Sequence, residues 1–161
     1  MMEFNFTEEN LGKIENLLKK YPTKRAAVMP VLYLAQEQNG WISQEVMVAV
    51  AKILDMTTED VLGVVTFYTM YHQKPVGKYH LQVCTNVSCM LRGAQDIYNH
   101  VKAKLTIDNG GVTGDKMFSL EEVECMGSCG TAPMIAINED YFENLDKQKL
   151  DQILESLKNK N

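Results

Sequence analysis

Residues 79–89 read YHLQVCTNVSC, so that a strand pattern runs directly into the first two cysteines of the chain. From Tyr79 to Cys84 the residues alternate between apolar and polar, as they do in a half-buried β-strand. Cys89 follows Cys84 after four intervening residues, near the start of a helical pattern. A strand that ends at a cysteine and continues into a helix predicts an α/β unit whose chemistry lies at one end of its sheet.

The sequence after this strand predicts the order β-α-β-β-α and a mixed sheet. The predicted elements are a helix over 90–103, a loop rich in Gly, Asp and Asn over 106–116, strands over 117–120 and 134–138, a hairpin partner that begins at 141–142, and an amphipathic helix over 146–157. Glu121 and Glu122 interrupt the alternation of the second strand, which predicts a bulge or a change of register. For the bond between Ala132 and Pro133, trans is the default expectation.

The residues before this unit have a helical periodicity. Apolar residues recur at spacings of three and four from Thr7 to about Tyr71, which predicts a bundle of about four short helices. Ser43 and Thr57 stand where the N-caps of two of these helices are expected. Pro30 lies inside a helical stretch, so that helix either begins near Pro30 or kinks there.

The periodicity changes from helical to strand-like at KPVG, residues 74–77. We therefore expect two domains, a helical bundle over 1–75 and an α/β domain with a mixed sheet over 76–161. A chain of 161 residues is long enough to bury an apolar core without disulfides.

Composition narrows the classes of function. The formal net charge is −5, and neither half of the chain has a basic stripe, which argues against nucleic acid as a partner. The first residues lack the pattern of a secretory signal, and no stretch approaches 18 uninterrupted apolar residues. We expect a soluble protein kept inside the cell, where thiols stay reduced and are available to metals.

The four cysteines fall into two pairs, with 35 residues between Cys89 and Cys125. Cys125 and Cys129 lie in a loop with the sequence CMGSCGTAP, whose glycines permit positive φ and can direct backbone NH groups toward sulfur. Two such loops at one end of a sheet can converge on one site. The spacing alone leaves three possibilities open, namely a [2Fe-2S] cluster, structural zinc, and unliganded or redox thiols.

Other residues and motifs exclude some alternatives. No Cys-x-x-Cys pair is present, so a thioredoxin-type thiol oxidoreductase ranks last. No G-x-G-x-x-G or Walker loop is present either, so we expect flavin and nicotinamide sites on another chain. His72, His80 and His100 have no metal-ligand spacing to the cysteines and are expected to be polar surface or core residues. Arg92 and Lys116 could form hydrogen bonds near a cluster or a partner, but the expectation for both is a solvated charge.

Five segments together resemble a known family. They are VCTNVSCMLRG at 83–93, VECMGSCGTAPM at 123–134, AQEQNGWI at 35–42, VVTFYTM at 64–70 and INEDYFENL at 137–145. On these motifs nearly the whole chain resembles the thioredoxin-like [2Fe-2S] ferredoxin subunit of NADH:quinone oxidoreductase, respiratory complex I. Met126, in place of a more usual Leu, and GDK at 114–116 depart from the family pattern, both outside the cysteines.

The resemblance implies a thioredoxin-like [2Fe-2S] ferredoxin domain after the helical bundle. It also implies that one [2Fe-2S] cluster is held by Cys84, Cys89, Cys125 and Cys129. Four thiolates and the nearby acidic residues of 121–124 should give the cluster a low reduction potential, because they disfavour an added electron.

The function that the resemblance implies is single-electron transfer within an NADH dehydrogenase complex. FMN and NADH are expected on a partner subunit, and other iron–sulfur subunits of the complex are expected as further partners. This chain is expected to catalyse no substrate reaction alone and to be cytoplasmic, peripheral to the inner membrane without inserting into it. The alternatives are the equivalent ferredoxin subunit of an NAD-dependent, bifurcating hydrogenase or of a formate dehydrogenase and, more remotely, a zinc-stapled binding module.

Overall fold

The computed structural model describes residues 3–160, in which the chain up to Pro75 forms one compact unit and the chain from Val76 onward forms another. Each unit has a hydrophobic core of its own. Within the described residues, no helix is both long enough and apolar enough to cross a membrane.

The first unit is a bundle of α-helices, as the periodicity predicts. Its helices are α1 Glu8–Leu18, α2 Val28–Asn39, α3 Gln44–Leu54 and α4 Thr58–Phe67, with a short 3₁₀ segment at Lys24–Ala27 before α2. Their apolar stripes face one another and bury a common core. The side chains at its centre are Ile14, Val31, Leu32, Val46, Val50, Leu54, Val61 and Val65.

The ends of these helices follow the signals in the sequence. The hydroxyl of Ser43 accepts a hydrogen bond from the Val46 amide at 3.3 Å, and that of Thr57 accepts one from the Asp60 amide at 3.1 Å, so both predicted N-caps are confirmed. Pro30 is the third residue of α2. Because the first-turn amides of a helix have no intrahelical partner, proline is tolerated there, and α2 begins near Pro30 instead of kinking.

The second unit has the predicted order β-α-β-β-α, with one additional short helix and with the predicted hairpin partner as a fourth strand. Its elements are β1 Tyr79–Cys84, α5 Val87–Leu91, α6 Ala94–Leu105, β2 Phe118–Val123, β3 Ile135–Ile137, β4 Asp140–Phe142 and α7 Lys147–Lys158. The sheet order is β2-β1-β3-β4, with β1 parallel to β2 and the other neighbours antiparallel, which confirms a mixed sheet. The single helix predicted over 90–103 is wrong at its start, since Gly93 has a φ of +91° and separates α5 from α6.

The predicted irregularity at Glu121 and Glu122 is wrong. The parallel register is unbroken from Tyr79 opposite Phe118 to Cys84 opposite Val123. Glu121 remains in regular strand because it has polar partners on β1: its Oε2 lies 3.0 Å from His80 Nε2 and accepts a hydrogen bond from Gln82 Nε2 at 3.0 Å.

The two faces of this sheet have different roles. Leu81, Val83 and the equivalent residues of β2 and β3 pack with α6 and α7 in the main core of the unit. Because side chains alternate along a strand, Cys84 lies on the opposite face, with His80 and Gln82. That face ends in a smaller apolar cluster, which consists of Cys84, Cys89, Ala94, Ala132 and Met134.

The peptide bond between Ala132 and Pro133 is cis. The default expectation of a trans bond is therefore wrong. Pro133 is buried and leads directly into β3 through Met134.

A substitution at Gly77 tests the packing that precedes β1. A Cβ atom on Gly77 would lie 2.5 Å from the backbone carbon of Phe118 and 2.7 Å from the Ser119 nitrogen, and backbone atoms of a strand cannot easily move away. We predict that Gly77→Ala lowers the free energy of unfolding of the second unit by about 1–3 kcal/mol. Native-state hydrogen exchange of the β1 and β2 amides measures this.

Gly114→Ala is the matched control in the same unit, because no atom lies within 4 Å of a Cβ at Gly114 and its φ is not positive. Its effect should stay within about 0.5 kcal/mol. Equal exchange rates in the two variants would contradict the packing described for Gly77.

Candidate metal centre

The four cysteines lie at one edge of the sheet of the second unit. Cys84 is the last residue of β1, and Cys89 lies in α5. Cys125 follows the end of β2 by two residues, and Cys129 begins a short 3₁₀ segment, Cys129–Thr131. Because β1 and β2 are parallel neighbours, their carboxyl ends deliver both cysteine segments to the same edge.

Cys84 and Cys89 form a buried pair. Their side chains are 3% and 2% exposed. Burial, together with a hydrogen bond to the Cys84 thiol, raises the pKa of Cys89 to about 11. The Cys84 thiol also donates to the backbone carbonyl of Glu124 at 3.6 Å. This last contact connects the end of β1 to the residue that precedes Cys125.

Cys125 and Cys129 are exposed and lie on the second segment. Cys129 is near enough to Cys89 to contribute electrostatically to its raised pKa. Cys125 makes a local contact, since its sulfur accepts a hydrogen bond from the Gly127 amide at 3.4 Å. Among residues 3–160, no three side chains of the His, Cys, Asp and Glu types converge closely enough to hold a single metal ion. Cys84 and Cys89 are buried, whereas Cys125 and Cys129 are exposed.

The loop over residues 125–133 contains two glycines, and one of them has the positive φ that the sequence suggests. Gly127 has a φ of +77°, which lets its NH group point back at the sulfur of Cys125. Gly130 does not have a positive φ. The loop therefore combines two thiols with a backbone NH directed at one of them, which is a donor set suited to a metal–sulfur centre.

Arg92 connects the two cysteine segments. It follows α5 directly, and its Nε donates to the backbone carbonyl of Ala132 at 2.6 Å. Arg92 is exposed, as expected for a solvated charge, but it also makes a hydrogen bond near the cysteines, which was the alternative for this residue. This hydrogen bond joins the segment of Cys89 to the residue three positions after Cys129, so it helps to keep both at the same edge.

The histidines described in this unit have partners away from the cysteines. His80 is buried, and its ring nitrogens lie 2.8 Å from Ser119 Oγ and 3.0 Å from Glu121 Oε2. His100 Nε2 lies 2.8 Å from a carboxylate oxygen of Asp151.

Sequence reasoning missed the side chains that hold the exposed loop. Glu143 accepts hydrogen bonds from Ser128 and Thr131, and Tyr141 donates one to the backbone of Met126. These partners are 12 to 15 residues apart in the sequence. The period-two alternation past β4 is the only local signal that places Tyr141 and Glu143 on one face.

Comparisons with known proteins agree on a family. The family model described as thioredoxin-like [2Fe-2S] ferredoxin matches residues 14–158. The chain is 46% identical, over 97% of its length and 95% of that protein's, to an NADH-quinone oxidoreductase subunit of Rickettsia bellii (strain RML369-C). It is 43% identical to the mitochondrial NADH dehydrogenase [ubiquinone] flavoprotein 2 of Dictyostelium discoideum, over 97% of this chain and 64% of that protein.

A solved structure has the same fold. It is an NAD+-reducing [NiFe]-hydrogenase in the air-oxidized state, with a TM-score of 0.73 at 19% identity. The match covers 83% of this chain and 23% of that one.

The difference in burial between the two pairs predicts their reactivity. In the metal-free chain, we predict that an alkylating reagent modifies Cys125 and Cys129 first, while Cys84 and Cys89 stay protected, because the thiolate is the nucleophile and both burial and a raised pKa suppress it at Cys89. Peptide mass spectrometry of timed samples measures the order.

The control for this experiment is the chain in denaturant, where all four cysteines should react at similar rates. Modification of Cys89 as fast as Cys129 in the folded chain would contradict the described site.

Proposed function

The chain belongs to the thioredoxin-like [2Fe-2S] ferredoxin family, and we propose that its four cysteines together hold one [2Fe-2S] cluster. The ligands would be Cys84, Cys89, Cys125 and Cys129. The observation that carries this proposal is that two parallel strands bring two pairs of thiols to one edge of the sheet. A [2Fe-2S] cluster has two irons and needs two thiolates for each, so two pairs of cysteines supply the number of ligands that it requires.

The matching family favours the cluster over zinc. Structural zinc takes four ligands around one ion in a closed tetrahedral site. Cys84 and Cys89 are instead buried in contact with each other, whereas Cys125 and Cys129 are exposed. The Gly127 amide, directed at the Cys125 sulfur, is the kind of donor that stabilises charge on a metal–sulfur centre. These features support an iron–sulfur cluster and leave zinc as the alternative.

We propose that the chain is the electron-transfer subunit of an NADH dehydrogenase complex. The names of its relatives, an NADH-quinone oxidoreductase subunit and NADH dehydrogenase flavoprotein 2, support this function and the place of the chain in an oxidoreductase complex. The cluster, when bound, supplies one-electron chemistry, whereas a hydride from NADH carries two electrons. FMN and NADH would therefore bind to a partner subunit, and other iron–sulfur subunits would belong to the same complex.

The residues near the exposed pair line an acidic groove. Glu122 and Glu124 lie in this groove with Val87 and Met90 of α5. Both carboxylates are exposed, and an oxygen of Glu122 accepts a hydrogen bond from Thr85 at 2.8 Å. Negative charge beside a site that receives an electron opposes reduction. We expect these carboxylates to keep the potential low, which suits exchange with a flavin.

An apolar surface next to Cys89 is suited to a partner. On α5, Val87, Met90 and Leu91 are 57%, 56% and 80% exposed. Side chains of this kind at the edge of an acidic groove are typical of a protein interface with an apolar centre and a charged rim. We propose that the flavin-bearing subunit covers this surface, which would bring its flavin near the cluster.

The cluster domain would be residues 76–161 and the helical bundle residues 1–75, in a cytoplasmic subunit peripheral to the inner membrane. The likeness to the hydrogenase is one of fold and does not favour that complex. The ferredoxin subunit of an NAD-dependent hydrogenase or a formate dehydrogenase is the second candidate, and subunits of those enzymes in a purified native complex would select it.

Replacement of single cysteines tests the ligand set. We predict that Cys→Ser at any of the four positions removes or destabilises the cluster, because a hydroxyl is a harder and weaker ligand for iron than a thiolate. Iron and acid-labile sulfide per chain should fall well below those of the unsubstituted protein. Val87→Ser is the control, since it adds a hydroxyl to the same segment at an exposed position and should leave both contents unchanged. Normal iron and sulfide in all four variants would refute the assignment.

A change on α5 tests the partner surface separately. We predict that Leu91→Lys reduces the recovery of partner subunits about tenfold in a native purification while the cluster stays bound, because it replaces an exposed apolar contact by a charge. Val48→Lys is the control, since Val48 is exposed to 49% on α3 of the other unit. Full recovery with Leu91→Lys would show that the partner binds elsewhere.

A further inference from the structure

Glu143 lies one residue beyond β4 and contacts the loop that carries Cys125 and Cys129. Its Oε1 accepts a hydrogen bond from Thr131 Oγ1 at 2.5 Å and another from the Ser128 hydroxyl. Ser128 precedes Cys129 directly, and Thr131 ends the 3₁₀ segment that Cys129 begins. One carboxylate oxygen therefore joins both ends of the turn that presents Cys129.

The alternation of side chains explains how Glu143 reaches this loop. Phe142 packs against the main core, so its neighbours Tyr141 and Glu143 lie on the opposite face, which is the face of the cysteines. The Tyr141 hydroxyl donates to the backbone carbonyl of Met126 at 3.1 Å, next to Cys125. One side chain of β4 and one just beyond it thus hold the loop near each of its cysteines.

Backbone hydrogen bonds fix the segment that carries Glu143 against the same loop. The Asn144 amide donates to the Thr131 carbonyl at 2.7 Å, and the Leu145 amide donates to the Pro133 carbonyl at 3.0 Å. Leu145 is also buried in the main core. Glu143 is therefore attached to a rigid part of the unit, while residues 124–128 have no strand pairing of their own.

We infer that Glu143 is a positioning residue, which holds the Cys125–Cys129 loop in the conformation that accepts the cluster. The effect on the cluster rests on the proposed function, because the loop supplies two of the four proposed ligands. A loop that contains two glycines loses much conformational entropy when it is fixed. Hydrogen bonds to a carboxylate are about twice as strong as those between neutral groups and can offset part of that loss. The pKa of Glu143 is lowered by the Ser128 and Thr131 hydrogen bonds, so the group is an ionised acceptor at neutral pH.

The test compares Glu143→Ala and Glu143→Gln with a matched control. Asp115→Ala is that control, because Asp115 also accepts from a threonine hydroxyl, that of Thr113 at 2.5 Å, but lies in the turn before β2. The full-length chain is used with its cluster and after removal of the cluster by a chelator. The measurements are hydrogen exchange of the amides of residues 126–131, the rate of cluster loss to the chelator, and the spin-resonance spectrum of the reduced cluster.

We expect Glu143→Ala to raise amide exchange in 126–131 and the rate of cluster loss about tenfold, the size expected for a lost hydrogen bond to a charged group. The spectrum should broaden or shift, because the positions of two sulfur ligands are no longer fixed. Glu143→Gln keeps an acceptor oxygen and should restore most of each property. Asp115→Ala should leave all three measurements unchanged.

Two results would overturn the inference. The first is that Glu143→Ala has the same amide exchange, the same rate of cluster loss and the same spin-resonance spectrum as the unsubstituted protein. The other is a uniform rise of exchange throughout the second unit, which would indicate general destabilisation instead of loop positioning. An unsubstituted chain that binds no cluster would refute the proposed function, and exchange in the cluster-free chain would still decide the role of Glu143.

Discussion

The unbroken parallel pairing of β1 with β2 is the constraint on which the rest of this structure depends. Parallel strands end at the same edge of a sheet, so the register from Tyr79 opposite Phe118 to Cys84 opposite Val123 places both cysteine segments together. The crossover between the strands runs through α6, whose apolar side packs on the core face. The opposite face is thereby left to polar side chains and to the cysteines. Without this pairing, two thiol pairs separated by 35 residues would have no reason to meet.

The two halves of the candidate site are stabilised by different means. Cys84 and Cys89 belong to regular structure and are buried with Ala94, Ala132 and Met134. The loop of Cys125 and Cys129 is exposed and is held from outside, by side chains of the β4 region and by Arg92. Two buried cysteines in regular structure and two exposed cysteines in a loop held by hydrogen bonds suit a metal centre. Such a centre must take up its metal from solvent and then exchange electrons with another protein. The acidic groove and the apolar surface of α5 lie on the side of the exposed cysteines.

Local signals predicted much of this structure. The alternation in YHLQVC located β1, and the hydroxyls of Ser43 and Thr57 located two helix starts, because strands and caps depend on neighbours within a few residues. Other expectations failed or were incomplete because the residues concerned have partners that are distant in sequence. Glu121 suggested a bulge only because its partners on β1 are about 40 residues away. Solvated charge was the expectation for Arg92 for the same reason, and the only local signal for Glu143 was the alternation of side chains past β4. The family resemblance indicated the [2Fe-2S] cluster, whereas the spacing alone had left open an iron–sulfur cluster, zinc, and unliganded or redox thiols.

The proposed function requires that this chain carries one [2Fe-2S] cluster and passes single electrons. The most direct measurement is a reductive titration of the purified chain, with iron and acid-labile sulfide determined on the same sample. We predict two irons and two sulfides per chain, a visible absorbance that bleaches on uptake of one electron, and a rhombic spin-resonance signal in the reduced form. A colourless chain with one zinc ion, no labile sulfide and no electron uptake would contradict this claim.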